Sequence, residues 1–241
     1  MISVPGRVLS LHRYPLKSFA GEPVDALRVE RRGAGGDRTH ALIWAGRNRR
    51  LTARQAPRML AWGARYDVPG EDLDPAEPPL PLLTGPDGTS YAWDDPELPG
   101  LLEADLGWPV ELRRDLAGQQ DLADSLLVTM SSSLDAVTDA LELPRGDVRR
   151  FRPNIHVGLD AEAFAEERWE GRRLRVGEAT LELLHPCERC VIPTRDPDTQ
   201  AKDSRVLMWL LRERRELFGI NARAPEPATI RLGDPVELLP R

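Results

Sequence analysis

Two cysteines separated by two residues carry the clearest chemical signal of the sequence. Cys187 and Cys190 enclose Glu188 and Arg189, and they follow a run that alternates apolar and polar residues, as a half-buried strand does. A cysteine beside an arginine at a strand end is expected to be partly exposed in a positive potential, which favours the thiolate. Such a thiolate can act as a nucleophile, a redox partner or a ligand for a soft metal.

Three further interpretations of the cysteine pair stay open on the residues alone. A structural zinc site needs four ligands, and His185 could supply one, with His12, His40 and His156 as the remaining histidines. A dithiol redox role is the second interpretation, although the pair does not open a helix in a strand–helix–strand unit. The third is a pair of buried thiols without chemistry.

Two segments in the first part of the chain offer groups that suit a phosphate. In residues 14–18 a proline stiffens the turn after a predicted strand, and Lys17 and Ser18 bring an ammonium and a hydroxyl together. In residues 33–38 glycines allow a tight turn or a close approach of the backbone to a ligand, and Arg38 is predicted to open a strand. Each segment taken singly is typical of ordinary surface.

A third segment, residues 149–155, combines several arginines with a proline and an asparagine. If this segment is extended, Arg152 and Asn154 point to the same side. A guanidinium is a bidentate partner for phosphate, and a side-chain amide can pair with the edge of a heterocycle. A surface cluster of charges is the alternative interpretation.

Short elements and many turns are expected around these segments because the chain contains 22 prolines and 19 glycines. Alternation at period two predicts strands at residues 6–12, 24–30, 40–44, 172–176, 180–184 and 229–232. Helices are predicted at residues 132–143, 161–168 and 205–218, the first capped by Ser132 or Ser133. This pattern predicts a mainly β protein with a few helices, an α+β fold built on a barrel or sandwich.

The organisation predicted from the sequence has two parts, a β-rich domain over residues 1–115 and a β-barrel domain over residues 116–241. Residues 68–101 are rich in proline, aspartate and glycine and are expected to form long loops that join short strands. A formal net charge of −6 argues against nonspecific binding of nucleic acid or an anionic membrane surface. Without a signal-peptide profile or a long apolar run, the expected location is the cytoplasm.

Taken together and in order, these segments resemble the MOSC family, which includes the mitochondrial amidoxime-reducing components and their bacterial relatives. The resemblance spans nearly the whole chain, with residues 68–101 the least informative. Its motifs are Tyr14-Pro-Leu-Lys-Ser, Gly36-Asp37-Arg38, Phe151-Arg-Pro-Asn-Ile, Trp169-Glu-Gly-Arg, Cys187-Glu-Arg-Cys190, Asp196-Pro-Asp-Thr, Leu217-Phe-Gly-Ile-Asn-Ala-Arg and Gly233-Asp234-Pro235.

The resemblance implies a MOSC-type β-barrel with an N-terminal β-rich subdomain that holds a molybdenum cofactor, a molybdenum–molybdopterin. It implies that Cys190 ligates the molybdenum and that Asp124 takes part in catalysis. Asp124 and Ser125 would match a loop that precedes the helix at 132–143. The residues implied to bind the cofactor, chiefly at its phosphate or along its pocket, are Lys17, Ser18, Arg38, Ser125, Arg152, Asn154 and Arg189.

Two features depart from the family pattern. The spacer after Asp124 is shortened, and Gln200 stands where the family usually has glycine, near Pro193 at the expected pocket mouth. The implied activity is the reduction of N–O bonds in small N-hydroxylated compounds or N-oxides. Electrons would come from a ferredoxin, a flavodoxin or a cytochrome with its reductase. The alternatives are a noncatalytic cofactor carrier, a protein that carries a persulfide on Cys190, and a zinc-stabilised structural protein.

Overall fold

The structure is a computed structural model that describes residues 5–116, 126–143 and 146–240. Its strands are β1 Pro5–Arg13, β2 Glu22–Val24, β3 Ala26–Glu30, β4 Gly33–Ala34, β5 His40–Trp44, β6 Arg49–Arg50, β7 Gly63–Arg65, β8 Leu82–Thr84, β9 Ser90–Ala92, β10 Val110–Arg114, β11 Leu126–Met130, β12 Ile155–Leu159, β13 Arg173–Val176, β14 Ala179–Glu188, β15 Leu217–Arg223, β16 Ala228–Arg231 and β17 Pro235–Leu238. Its helices are α1 Leu98–Leu106, α2 Ser131–Ala140 and α3 Arg205–Arg214. The mainly β fold class with a few helices is confirmed.

A barrel of seven strands closes because β1 pairs with β17 on one side and with β12 on the other. The order around the barrel is β12, β11, β15, β14, β13, β17 and β1. Neighbouring strands are antiparallel except β11 and β12, which run parallel and are joined through α2. Buried aliphatic residues of these strands, among them Val128, Leu181 and Ile220, fill the barrel as its main core. The first strand of the chain thereby belongs to the same barrel as the strands around the cysteine pair.

Smaller sheets lie beside the barrel and come mostly from the first half of the chain. Strand β5 pairs with β10 and β6, and β8 pairs with β7 and β9. These elements and α1 enclose a second core that includes Phe19, Trp62 and Leu83. The division of the chain into domains at residue 115 stays a prediction. Within the described ranges, no helix has the length and apolar character that crossing a membrane requires.

Three details of the predicted helices are wrong. Residues 161–168 form no α-helix and contain only a short 3-10 turn at Ala165–Arg168. Helix α3 was predicted to reach residue 218, but Arg215 and Glu216 adopt left-handed backbone angles, φ 53° and 64°, and β15 begins directly after them. Helix α2 has Met130 at its N-cap and no capping side chain. The predicted cap Ser133 instead donates from its hydroxyl to Glu166 Oε2 at 2.9 Å.

Candidate functional site

The cysteine pair lies where β14 leaves the barrel. Cys187 is near the end of β14, and Cys190 follows in the loop that leads to a short 3-10 turn at Ile192–Thr194. The pairing of β14 with β15 shifts register twice between Leu183 and Glu188. Such irregularities redirect side chains and are frequent beside functional sites. Both thiols are free and half-buried, which confirms the expected partial exposure.

Arg189 gives the two thiols different surroundings. Its Nη1 lies 3.0 Å from the Cys187 sulfur, and its Nη2 donates to the carbonyl oxygen of Phe151 at 2.7 Å. The guanidinium carbon also lies 5.8 Å from the centre of the Phe151 ring. Cys187 thus already has a cationic partner, whereas Cys190 lies at the point where two cavities meet.

The two cavities have volumes of about 300 and 750 Å³. Arg54, Cys190 and Ile192 line both of them, so the two cavities adjoin each other, and together they are called the Cys190 cleft. Cys187 and Glu188 line the smaller cavity, which is the inner part of the cleft. The larger cavity is the outer part, and it extends over polar residues around β6, among them Asn48, Thr52 and Gln55. The predicted thiolate therefore faces a space large enough for an organic cofactor or substrate.

Positive charge dominates the wall of the Cys190 cleft, although the whole chain has a formal net charge of −6. Among the lining residues that the structure describes, Glu188 is the acidic one. The cationic lining residues are Lys17, Arg38, Arg49, Arg50, Arg54, Arg113, Arg152 and Arg189. A net-acidic protein that gathers so many cations along one cleft is suited to an anionic ligand.

A buried tyrosine ring supports two of these arginines. The guanidinium carbons of Arg38 and Arg152 lie 5.0 and 4.2 Å from the centre of the Tyr14 ring. The Tyr14 hydroxyl donates to the carbonyl oxygen of Pro153 at 3.2 Å. Asp37 accepts the backbone N–H of Tyr14 at 2.6 Å and forms an ion pair with Arg38. Burial raises the pKa of Tyr14 to about 12, so the phenol stays neutral. Its ring is a fixed packing surface for the guanidinium groups of Arg38 and Arg152.

Three of the predicted site residues have left-handed backbone conformations, with φ 71° at Ser18, 51° at Arg38 and 54° at Arg152. This region is unfavourable for residues with a Cβ and persists where surrounding contacts impose it, often at functional sites. Arg152 Nη1 donates to the carbonyl oxygen of Phe19 at 2.7 Å. Arg38 therefore does not open a strand, and Arg152 is not extended. Both side chains are presented from strained turns.

Lys17 and Asn154, two further predicted residues, differ in their position relative to the cleft. Lys17 lines the outer cleft beside Ser18. Asn154 is fully buried below the cleft, where its Oδ1 accepts the N–H of Leu127 at 3.2 Å and its Nδ2 donates to the carbonyl oxygen of His12 at 3.3 Å. Its amide thus joins β11 to β1 beneath the site. The predictions for Asp124 and Ser125 lie outside the described residues.

Two family models match the sequence of the chain. They are the MOSC domain over residues 115–237 and the MOSC N-terminal beta barrel domain over residues 5–76. The chain belongs to the MOSC family. Mitochondrial amidoxime-reducing component 1 from Homo sapiens is 27% identical to this MOSC chain, over 97% of the chain and 83% of the relative. The protein of the same name from Xenopus laevis is 26% identical, over 96% and 81%. Among solved structures, the YUAD protein from Bacillus subtilis aligns over 98% of this chain and 97% of its own, with a TM-score of 0.49 and 12% identity.

Several residues of the MOSC cleft were not predicted from the sequence. Arg49, Arg54 and Arg113 line the outer cavity, and Arg113 Nη2 is fixed by Asn48 Oδ1 at 2.6 Å. The positional role of Tyr14 was also missed, although its motif was recognised. The dense basic run at residues 47–50, in a net-acidic chain, was the signal that could have pointed to an anion site.

The donor set of the MOSC cleft decides which metal centre it fits. Over the described ranges, no group of three or more His, Cys, Asp or Glu side chains is placed to hold a metal ion. The cleft offers instead two half-buried thiols among cationic walls, and Arg189 already contacts the sulfur of one of them, Cys187. These residues fit a metal that is carried by an anionic organic group and takes a single protein thiolate better than they fit a zinc site.

Proposed function

We propose that this MOSC protein holds a molybdenum cofactor in the Cys190 cleft and reduces the N–O bonds of small N-hydroxylated compounds. The proposal rests on a half-buried thiol at the junction of two cation-lined cavities. Membership of the MOSC family and similarity to proteins named mitochondrial amidoxime-reducing component 1 support it.

In this proposal, Cys190 supplies the protein ligand of the molybdenum. Thiolates are the soft ligands of proteins, and nearby guanidinium groups favour the deprotonated sulfur. Arg54 lines both cavities beside Cys190 and contributes to that potential. Cys187 is proposed to stay outside the coordination and to keep its contact with Arg189, whose Nη1 lies 3.0 Å from its sulfur.

The phosphate of the cofactor is proposed to lie against Lys17, Ser18, Arg38 and Arg152. Guanidinium and ammonium groups form strong charge-assisted hydrogen bonds with phosphate oxygens. The Tyr14 ring and the strained turns already hold the two arginines in place, so binding orders few side chains. Asn154 acts beneath the site by fixing the strands that carry it.

When bound, the cofactor supplies the redox chemistry, and the protein positions it and shapes the access of substrate. Reduction of an N-hydroxyl group to N–H consumes two electrons and two protons and releases water. The chain has 2 cysteines, too few for a four-cysteine iron–sulfur cluster, so electrons come from an external ferredoxin, flavodoxin or cytochrome with its reductase. Asp124 is proposed to manage protons at the substrate.

The test combines metal analysis with turnover, using protein produced in a host that loads other molybdenum enzymes. We expect near-stoichiometric molybdenum and reduction of benzamidoxime with an artificial electron donor. Cys190→Ser replaces the soft ligand by a poor one, so it should lose the metal and nearly all turnover while its melting temperature stays close to that of the wild type. Cys187→Ser is the matched control and should keep both.

Each contrary outcome has a distinct meaning. Turnover retained by Cys190→Ser would defeat the ligand assignment. Molybdenum bound without any turnover of N-hydroxylated compounds would favour the cofactor-carrier alternative. A labile sulfur on Cys190 without molybdenum would favour sulfur transfer, and zinc with loss of folding on chelation would favour the structural alternative.

A further inference from the structure

A separate cavity of about 230 Å³ shares Arg152 and Ile192 with the Cys190 cleft but has its own lining. Apolar surface dominates it, with Leu60 and Pro197 among the contributors. The polar groups around it include His12, Arg149, Arg150, Arg195, Asp196 and Gln200. We refer to it as the His12 cavity. The proposed reaction at Cys190 makes no use of it.

Unsatisfied polar atoms gather around the His12 cavity. His12 is 8% exposed, and its Nδ1 has no hydrogen-bond partner among the residues that the structure describes. The same is true of Gln200 Oε1 and of Nε and Nη1 of Arg150. Buried polar atoms are normally hydrogen-bonded, and each one without a partner costs free energy. Three side chains that line one cavity carry such atoms, and because neighbouring atoms cover them in this structure, a ligand in the cavity would reach them through a shift of the side chains.

The side chain of Gln200 is fixed in place at the wall of the cavity by hydrogen bonds to the backbone. Its backbone is left-handed, with φ 60°, at a position where the family resemblance leads us to expect glycine. Its Nε2 donates to the carbonyl oxygens of Pro197 at 2.9 Å and Leu60 at 3.3 Å, which fixes the amide and leaves Oε1 as an acceptor. A strained, anchored side chain at a cavity wall is typical of a binding determinant.

The charges around the cavity favour an anion. Arg150 Nη2 is paired with Asp196 at 2.7 Å, and its remaining N–H groups have no partner in the described ranges. Arg195 adds a further cation to the lining. Burial, together with the charges of Arg149 and Arg152, lowers the pKa of His12 to about 4, against an opposing contribution from Asp147. His12 is therefore a neutral ring in a positive potential at physiological pH, able to donate or to accept one hydrogen bond.

We propose that the His12 cavity binds a small organic acid that also carries a hydroxyl or amino group. The carboxylate would accept from Arg150 Nε and Nη1, and the hydroxyl or amino group would donate to Gln200 Oε1, with the neutral His12 ring beside it. The volume of about 230 Å³ suits a molecule with a single compact ring or a short branched chain.

The test uses 4-hydroxybenzoate as probe, with benzoate and 4-hydroxybenzamide as analogues that lack the hydroxyl and the charge. Titration calorimetry on the whole chain should show that each analogue binds about tenfold more weakly than 4-hydroxybenzoate, because each lacks one set of hydrogen bonds. Gln200→Gly suits the left-handed backbone, so the fold should persist. It should weaken 4-hydroxybenzoate about tenfold and leave benzoate unchanged.

Further variants locate the site. Arg150→Gln should weaken both acids, whereas Arg175→Gln, which removes a surface arginine paired with Glu237, should weaken neither. Cys190→Ser should leave binding unchanged, so the result does not depend on molybdenum or on turnover. Equal affinity for the acid and the amide, no binding of any probe at millimolar concentration, or loss of binding in Cys190→Ser would each overturn the proposal.

Discussion

The Cys190 cleft and the His12 cavity share a wall but balance their charges differently. In the cavity, Arg149 pairs with Asp198 at 2.9 Å and Arg150 pairs with Asp196 at 2.7 Å. In the cleft, Glu188 is the acid among the lining residues within the described ranges, and the arginines around it outnumber it. The same residue type thus serves two purposes, local pairing in one region and a shared positive potential in the other.

The difference indicates what each region can accept. Arginines that are paired within the protein leave only individual N–H groups for a ligand, so the His12 cavity suits one modest anionic group. A wall of cations with few acids attracts a ligand that carries several negative charges and strengthens that attraction where water is excluded. Within the cleft, Arg38 pairs with the buried Asp37, and that pair gives the first way to test the comparison.

Arg38→Met is expected to have the largest effect on stability. Asp37 is 1% exposed, and the substitution leaves its carboxylate buried without the guanidinium that neutralises it. Breaking a buried pair in this way costs about 3–5 kcal/mol in the free energy of unfolding, measured by urea denaturation. The matched control is Arg149→Met, which removes pairs with Asp147 at 2.6 Å and Asp198 at 2.9 Å. The Arg149 side chain is 44% exposed, so solvent screens both pairs, and the loss should stay below about 2 kcal/mol. Similar losses for both variants would contradict the contrast between the two regions.

The pH dependence of stability is the next test, and it concerns the His12 cavity. Burial, together with Arg149 and Arg152, lowers the folded pKa of His12 to about 4 against Asp147, whereas the unfolded chain titrates near the ordinary value of 6.5. Below pH 6.5 the unfolded chain takes up a proton that the folded protein does not, so stability falls as the pH drops towards 4. The loss at His12 is on the order of 3 kcal/mol.

His12→Gln should therefore flatten the acid limb of a plot of unfolding free energy against pH and leave the slope of that plot above pH 7 unchanged. Burial also lowers the pKa of His40 and His156 to about 4, with smaller effects of Arg114 on His40 and of His12 on His156. The control His40→Gln should remove a comparable share of the acid loss from outside the cavity. An acid limb unchanged in His12→Gln would show that His12 is protonated or solvated in the folded protein.

Alternation in the sequence predicted strands whose residues alternate between buried and exposed. Residues 172–176 were predicted in this way and correspond to β13, whose residues do alternate. Residues 40–44 were also predicted, although four of the five residues of β5 are buried. Strands β11 and β12 were missed because nearly all of their residues are buried, so their sequences do not alternate. Helix α1 was missed because Pro99 and Gly100 stand in its first turn and suggest a loop. Periodicity therefore found alternating strands such as β13 and missed β11 and β12, the two almost fully buried parallel strands of the barrel.

The prediction of site residues was limited in the same way, because it depended on what the local sequence contains. The resemblance identified the residues of contiguous motifs, such as Lys17 and Arg38, at the Cys190 cleft. Arg54 and Arg113 were missed because only the tertiary fold brings their segments to Cys190. The left-handed turns were not predicted because nothing in the local sequence distinguishes them from ordinary turns.

The smallest expected effect comes from those turns. Ser18 has φ 71°, and glycine relieves that strain at the cost of a more flexible unfolded chain, so Ser18→Gly should gain no more than about 1 kcal/mol of stability. The control Arg215→Gly, φ 53° at the end of α3, should gain a similar amount. The two variants should differ in the cleft, since Ser18→Gly removes a hydroxyl proposed to hold phosphate and should retain less molybdenum after dialysis. Equal retention would mean that the backbone of Ser18, and not its side chain, is what the strained turn preserves.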